Sequence, residues 1–269
     1  MRLPSVLTGD AMRTLTFALT LVRHGETPFN KQGLLQGQTI DAPLSETGLQ
    51  QAEAAGRYLR DVRFSNVFVS DMLRARQTAE MIMKHNSSCS NLQMVCDPLL
   101  KEKSFGTAEG LRVQDYKEMA KAAGEAFPDF TPPGGETPEQ VKQRVRGFLD
   151  KTLQHIGSEH WQARGQDATS QAAPPAASPV EGRAEDGAGG LPVHALVVSH
   201  GAYMRVALRL FVEELGCRPP PGCDPEHLFS LSPNTGLCRF LLSIKQEGSA
   251  FILSGICCVF VHRRDHLEQ

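Results

Sequence analysis

The chain has 269 residues, of which 41% are hydrophobic and 22% are charged, and its formal net charge is -2. This apolar fraction is sufficient for a sizeable core and argues against a wholly disordered chain. The near balance of 28 Lys and Arg against 30 Asp and Glu argues against a nucleic-acid binder, because such proteins need a dense cationic surface.

Neither a membrane span nor a disulfide framework is expected. No apolar run reaches the roughly 20 residues of a membrane span, and residues 1–13 are expected to be a disordered N-terminal extension. The seven cysteines are odd in number and include no C-x-x-C pair, so reduced thiols are favoured over disulfides or a zinc site. We therefore expect a cytoplasmic protein, and the sequence leaves open a conditional mitochondrial or nuclear pool.

Apolar runs alternate with helical patterns along the first half of the chain, which is typical of an α/β fold. Residues 15–22 form an apolar, β-branched run of the kind found in buried parallel strands. Residues 47–50 have the spacing of a capping box at the start of a helix. Residues 67–69 predict a second strand, and Ser70 and Asp71 after it are good N-cap residues for the next helix.

The second half continues the same alternation. Thr137 begins a capping box with proline at the first helical position, which predicts the start of a long helix. Residues 195–198 predict another buried strand, and a helical pattern follows over 204–215. Two further strands are expected at 239–244 and 251–261.

One segment interrupts this pattern. Residues 162–192 are built mainly from Ala, Gly, Pro, Ser, Gln and acidic residues, a composition that cannot bury enough apolar surface to offset the entropy of ordering. We predict a disordered insertion there. Because an apolar strand follows it, we expect a single domain over 14–262 that contains the insertion, followed by a C-terminal tail at 263–269.

His24 and His200 occupy matching positions, each after a predicted strand and before a glycine. In open α/β sheets, ligands bind at the carboxyl ends of the strands, so we expect the two histidines to face one crevice. A single histidine is more often structural than functional, but two in matching contexts favour function. Arg23 and Arg74 add two planar cations whose geometry fits phosphate or carboxylate.

Several motifs resemble the histidine phosphatase (phosphoglycerate mutase-like) superfamily, in the right order. They are Leu21-Val22-Arg23-His24-Gly25-Glu26-Thr27, Asn30, Pro43-Leu44-Ser45-Glu46-Thr47-Gly48, Ser70-Asp71-Met72-Leu73-Arg74-Ala75-Arg76-Gln77-Thr78-Ala79, Gly134-Gly135-Glu136-Thr137 and Ser199-His200-Gly201. The resemblance covers about residues 14–156 and 193–262. It implies a three-layer α/β/α fold with a mostly parallel central sheet flanked by helices. Within the superfamily, residues 131–137, 199–205 and 233–236 resemble the fructose-2,6-bisphosphatases.

The resemblance implies a catalytic role for five residues. His24 matches the nucleophile of the superfamily, which attacks phosphorus and forms a phosphohistidine. Arg23, Arg74 and His200 match the pocket that stabilises charge on the phosphoryl oxygens. Glu102 matches the carboxylate that protonates the leaving group and then deprotonates water.

The resemblance also implies a set of substrate-binding residues, and no metal or cofactor. The set is Asn30, Gln36, Gly37, Gly201 and Arg205. Arg205 follows His200 by about one helical turn, so it is either a ligand of a second substrate phosphate or a cation of the helix surface. Lys101 stands where members of the superfamily often carry arginine, and lysine keeps the charge but loses the bidentate fork.

The implied function is a phosphatase that hydrolyses the 2-phosphate of fructose 2,6-bisphosphate and so lowers glycolytic flux. One alternative is a phosphatase or mutase that acts on 2,3-bisphosphoglycerate or other small phosphorylated acids, because the chemical residues are shared. Another is a regulatory binding protein, a pseudophosphatase, although none of the catalytic residues is missing. The expected partner is a small sugar or acid phosphate, and a glycolytic enzyme stays open as a protein partner.

Overall fold

The computed structural model describes residues 13–162 and 182–268. Within these ranges, six strands form one sheet in the order β3-β2-β4-β1-β5-β6. The strands are β1 (Leu15–Arg23), β2 (Asn66–Val69), β3 (Met94–Cys96), β4 (His194–Ser199), β5 (Leu237–Glu247) and β6 (Ala250–Arg263). The first four strands pair in parallel, and β5 is antiparallel to both of its neighbours.

The helices lie on both faces of the sheet. They are α1 (Pro28–Lys31), α2 (Glu46–Tyr58), α3 (Leu73–His85), α4 (Val113–Ala122), α5 (Pro138–His160), α6 (Gly201–Arg209) and α7 (Pro225–Leu228). On one face α5 and α6 bury an apolar cluster that includes Phe17 and Phe240. On the other face α2 and α3 cover a second cluster around Val22 and Leu196. The predicted three-layer, mostly parallel α/β/α fold is confirmed.

Strands β1 and β4 bring the two histidine motifs together. Their parallel register pairs Arg23 with Ser199, and the backbone N–H of His24 donates to the carbonyl of Ser199 at 3.0 Å. His24 and His200 therefore leave adjacent strands at the same edge of the sheet. This is the position at which open α/β sheets bind ligands.

The start of α5 is confirmed, whereas α2 begins differently from the prediction. The Thr137 hydroxyl accepts from the backbone of Gln140 at 3.1 Å, and the Gln140 side chain accepts from Thr137 at 2.8 Å. Helix α2 is capped by Ser45, whose hydroxyl accepts from the backbone of Gly48 at 3.0 Å. The prediction placed this cap at Thr47, two residues too late, because Gln50 gives Thr47 the spacing of a capping box, whereas Ser45 caps the helix without one.

Helix α3 also departs from the prediction at its start. It begins at Leu73 without a side-chain cap from its own segment, and the backbone of Leu73 donates to the carboxylate of Asp41 at 2.8 Å. The Ser70 hydroxyl, which was expected to cap the helix, contacts Nε2 of His200 and accepts from the backbone of Met72 at 3.4 Å, one residue before the helix begins. Tertiary contacts thus replace both of the local capping interactions expected of residues 70–71.

Part of the predicted insertion is ordered. Residues 1–12 and 163–181 lie outside the described residues, and with them the predicted extension and most of the insertion. Residues 184–190 form turns that are held by a buried arginine. Nη1 of Arg239 donates to the carbonyls of Ala184 and Asp186 at 2.6 and 2.9 Å. Disorder was expected for this stretch, but the structure places it in turns. Buried guanidinium groups supply the stabilisation that its composition lacks.

The C-terminal residues also pack against the domain, although a tail was expected there. Arg263 ends β6 and pairs with Asp186 at 2.9 Å, with both side chains nearly buried. His266 is buried against Thr235.

In the described parts of the chain, none of the helices is both long and apolar enough to cross a membrane.

Candidate active site

The two histidines lie side by side in the interior. Their ring centroids are 5.2 Å apart, and both side chains are buried. Nδ1 of His24 lies 2.7 Å from the carbonyl oxygen of Gly25. Because a carbonyl only accepts, Nδ1 carries the proton and Nε2 holds the lone pair. This is the tautomer that a histidine nucleophile requires.

Electrostatics keeps both rings neutral. Burial lowers the pKa of His24 well below its ordinary value of 6.5, and the charges of Arg74 and Arg23 lower this pKa further. The pKa of His200 is lowered in the same way, first by burial and then by Arg74. A neutral imidazole with an available lone pair is a competent nucleophile at neutral pH.

Three buried nitrogen atoms of this site have no hydrogen-bond partner among the described residues. They are Nε of Arg23, Nε of Arg74 and Nδ1 of His200. Buried polar groups are seldom left unpaired, so each such atom needs an explanation. Two cations and an imidazole with unpaired nitrogens beside a nucleophile suit a phosphoryl group, whose oxygens only accept.

The surrounding backbone holds the two arginines in place. Arg74 is fully buried, and its Nη1 and Nη2 donate to the carbonyls of Ile40 and Gly37 at 3.2 and 3.1 Å. Nη1 of Arg23 donates to the carbonyl of Ser232 at 2.6 Å. Burial lowers the pKa of Arg74 to about 10, against an opposing effect of Glu102, so this guanidinium stays charged at neutral pH.

Glu102 is held at the N-terminus of α6. Its Oε1 accepts from the backbone of Lys103 at 2.8 Å and of Tyr203 at 2.9 Å, and its Oε2 accepts from Ala202 at 3.1 Å. The carboxylate acts electrostatically on both Arg23 and Arg74. The structure therefore brings the five residues with a predicted catalytic role into one site.

The predicted substrate-binding residues of the first loop are tied to one another. Oδ1 of Asn30 accepts from the backbone of Thr27 at 3.2 Å and from Nδ2 of Asn234 at 3.2 Å. Gln36 accepts from the Thr27 hydroxyl at 2.7 Å and donates to the carbonyl of Ile40 at 3.2 Å. The Gln36 side chain thus shapes the loop. The carbonyl of the next residue, Gly37, accepts from Nη2 of Arg74.

Gly201 and Arg205 lie on α6. A Cβ at Gly201 would stand 2.8 Å from Leu231 and 3.2 Å from Nε of Arg23, so a larger residue would displace Leu231 and press against the arginine. Arg205 is half-buried within electrostatic range of Asp129 and Lys103, and its Nε has no partner among the described residues. This nitrogen is therefore available to an anionic group.

Lys101, the departure from the superfamily pattern, forms a partly exposed ion pair. Its Nζ pairs with Asp71 at 3.4 Å, and both side chains are about one-third exposed. Its carbonyl accepts from Arg144 at 2.8 Å.

Sequence reasoning did not assign functional roles to three residues that shape the site. Ser70 lies 2.8 Å from Nε2 of His200, and Nδ2 of Asn234 donates to the carbonyl of His24 at 3.1 Å. Both occur inside motifs that the resemblance identified, which was the available signal. Arg144 lies outside every motif, so the sequence offered no signal for it.

In the parts of the chain that the structure describes, His, Cys, Asp and Glu form no group of three or more that could hold a metal ion.

Known proteins are similar to this chain along most of its length. The model of the histidine phosphatase superfamily (branch 1) matches residues 19–164. The probable fructose-2,6-bisphosphatase TIGAR A of Danio rerio is 55% identical over 254 residues, which cover 94% of this chain and 99% of that protein. The fructose-2,6-bisphosphatase TIGAR of Bos taurus is 41% identical over 262 residues, which cover 93% and 96%. A phosphoglycerate mutase from Bacillus anthracis str. Sterne superposes with a TM-score of 0.62 at 20% identity, over 95% of this chain and 96% of that one, and supports the fold alone.

Proposed function

The chain belongs to the histidine phosphatase superfamily (branch 1), and from this membership we propose that it removes the 2-phosphate of fructose 2,6-bisphosphate. The reaction passes through a phosphohistidine on His24. The names of the relatives supply the substrate. The observation that carries the chemistry is the group of unpaired buried nitrogens around neutral His24.

In the first step, Nε2 of His24 attacks phosphorus in line with the sugar oxygen. The N–P bond forms as the P–O bond to the sugar breaks, and the bonding pair stays on the sugar oxygen. Arg23, Arg74 and His200 hold the non-bridging oxygens and stabilise their charge in the transition state. Splitting the hydrolysis in two avoids a direct attack of water on the phosphate ester.

Glu102 moves the protons. Its carboxyl group protonates the departing sugar oxygen in the first step, and its carboxylate takes a proton from the attacking water in the second. Water then forms the new P–O bond, the N–P bond breaks, and the pair returns to Nε2 of His24. The three backbone N–H groups around Glu102 orient its carboxylate, which supports the base role in the second step.

The remaining predicted residues bind the rest of the substrate. Asn30, Gln36, Gly37 and Gly201 form the wall around the reacting phosphate, and Arg205 binds the second phosphate. The unpaired Nε of Arg205 supports its assignment.

Phosphate release from a panel of substrates tests the proposal. The panel holds fructose 2,6-bisphosphate, fructose 1,6-bisphosphate, 2,3-bisphosphoglycerate and phosphoenolpyruvate, with chelator present and His24→Ala as control. We expect a preference for fructose 2,6-bisphosphate and no turnover or phosphoenzyme in His24→Ala. A preference for 2,3-bisphosphoglycerate would show that the substrate is a phosphorylated acid. Transfer of labelled phosphate from the phosphoenzyme to phosphoglycerate instead of water would show that the enzyme is a mutase.

In the cell, we propose that the enzyme acts in the cytoplasm and that the loss of fructose 2,6-bisphosphate lowers glycolytic flux. Expression of the wild type should lower the level of this bisphosphate and the release of lactate, and His24→Ala should change neither. An equal effect of both proteins would favour a regulatory binding role, with a glycolytic enzyme as the partner to search for.

A further inference from the structure

Arg144 of α5 binds the backbone that carries Glu102. Its Nη1 donates to the carbonyls of Leu99 and Lys101 at 2.9 and 2.8 Å, and its Nη2 donates to the carbonyl of Glu102 at 3.2 Å. One guanidinium thus holds three carbonyl groups of the four-residue segment that ends at the acid/base residue.

Glu136 fixes the orientation of this guanidinium. Its Oε1 accepts from Nε of Arg144 at 2.8 Å and its Oε2 from Nη2 at 2.7 Å, the bidentate geometry that gives directional strength. Oε2 also accepts from the backbone of Ser104 and from Nε2 of Gln38, both at 2.9 Å. The same Nε2 of Gln38 donates to the carbonyl of Glu102 at 2.8 Å. The chain is therefore held on both sides of Glu102.

The turn before Glu136 packs closely against the segment that follows Glu102. The backbone of Glu136 donates to the carbonyl of Ser104 at 2.9 Å. Gly106 has φ +49, and a Cβ there would stand 2.2 Å from the carbonyl of Pro133. This contact holds the backbone of the turn before Glu136 close to the segment that follows Glu102.

We propose that Arg144 and Glu136 form a clamp that positions Glu102 for proton transfer. The two residues are positioning residues, because Glu102 alone carries the proton. Proton transfer requires hydrogen-bond distance to the reacting oxygen, and small misplacements of a catalytic group cost large factors in rate. The inference rests on the acid/base role of Glu102 in the proposed function.

The dependence of the rate on the leaving group separates positioning from general structural support. A sugar oxygen departs poorly without a proton, whereas p-nitrophenolate departs without one, so only the sugar phosphate needs a well-placed acid in the first step. In Arg144→Lys, which loses the bidentate fork, phosphoenzyme formation from fructose 2,6-bisphosphate should slow by about 10²-fold, the range of general acid catalysis. Its formation from p-nitrophenyl phosphate should slow by less than about threefold, as rapid-quench measurements would show, since that step bypasses the acid.

Two further variants control this comparison. Arg146, two residues along α5, is 43% exposed and pairs with Glu214, so Arg146→Lys should leave both rates unchanged. Glu136→Gln keeps the shape of the side chain and removes its charge, and it should reproduce the selective loss of Arg144→Lys. It also serves as the test if Arg144→Lys does not fold.

Glu102→Gln distinguishes failure of the clamp from failure of the proposed function. If this variant shows the selective loss but Arg144→Lys and Glu136→Gln do not, the clamp is overturned and the acid role stands. If Arg144→Lys and Glu136→Gln slow both substrates equally, the pair is structural and the inference fails. If Glu102→Gln itself shows no selectivity, the acid role fails and the clamp has no proton transfer to support.

Discussion

The hydroxyl of Ser70 lies 2.8 Å from Nε2 of His200 in the buried centre of the site. The same oxygen accepts from the backbone of Met72 at 3.4 Å, so its own proton can go to Nε2. Nδ1 of His200 then carries the hydrogen of the ring, and Nδ1 is the atom that has no partner among the described residues. With Ser70 as the donor, His200 is in the tautomer whose Nδ1–H can donate to a phosphoryl oxygen in the proposed reaction.

Ser70→Ala should lower kcat by about 10-fold with little change in KM, because one hydrogen bond of about 1 to 1.5 kcal/mol selects the tautomer. Steady-state kinetics measures both parameters. Ser243→Ala is the matched control, since Ser243 is a buried serine that bonds to Thr16 at the far end of the sheet. Wild-type kcat in Ser70→Ala would contradict the assignment.

The loop at residues 36–40 depends on Glu109. Its Oε1 accepts from the backbone of Gln38 at 3.1 Å and its Oε2 from the backbone of Thr39 at 2.9 Å. In Glu109→Gln one acceptor oxygen becomes an NH2 group that faces a donor, so the loop should loosen and KM should rise by about 3- to 10-fold, because one hydrogen bond contributes about 0.5 to 1.5 kcal/mol. Glu118→Gln, on the exposed side of α4, should leave KM unchanged. Equal KM values in both variants would show that Glu109 does not order the loop.

The sequence predicted the strands of the core well and the marginal elements poorly. Apolar runs identified five of the six strands. The three-residue edge strand β3 is half-buried to exposed, and α4 buries only Tyr116 and Ala120, so neither produces a strong apolar pattern. The ordered turns at 184–190 were missed because buried arginine side chains from β5 and β6 hold them. The composition of the turns themselves does not indicate these contacts.

The same limit applies to the site. Motifs supplied most of the proposed site residues, and the parallel register of β1 and β4 explains why both histidines lie at the same edge of the sheet. Ser70 was interpreted as a helix cap because a local pattern cannot reveal its contact with His200, which lies 130 positions away. Arg144 binds carbonyl groups that lie 42 to 45 residues earlier in the chain. Because every residue has a backbone carbonyl, the sequence does not show which ones an arginine will bind.

Substitution of Gly25 tests how closely the backbone after His24 packs against Gly48. A Cβ there would stand 2.5 Å from the carbonyl oxygen of Gly48, and two backbone segments cannot rotate away from each other. Gly25→Ala should lower the free energy of unfolding by about 2 kcal/mol and reduce kcat, because the carbonyl of Gly25 holds His24. Gly189→Ala meets nothing within 4 Å and should change the stability by less than about 0.5 kcal/mol. Urea unfolding compares the two variants, and equal stabilities would refute the close contact.

His266 should make the stability of the fold sensitive to acid. The residue is buried, and its Nε2 lies 3.0 Å from the Thr235 hydroxyl. Burial lowers its pKa from 6.5 to about 4, although the charge of Asp265 opposes this shift. Between these values the unfolded chain binds a proton that the folded protein does not. The stabilising contribution is therefore complete above about pH 6.5 and is lost as the pH falls towards about 4.

The size of this effect is measurable with one variant. For His266 alone, the free energy of unfolding should fall by about 2 kcal/mol between pH 7 and pH 5. His266→Gln retains a group that can bond to Thr235 but does not titrate, so its decrease over the same range should be about 2 kcal/mol smaller than that of the wild type. Urea titrations at the two pH values measure the difference, and equal m-values would show that both proteins unfold from the same structure. An identical pH dependence in the two proteins would mean that His266 takes up its proton in the folded state as readily as in the unfolded chain.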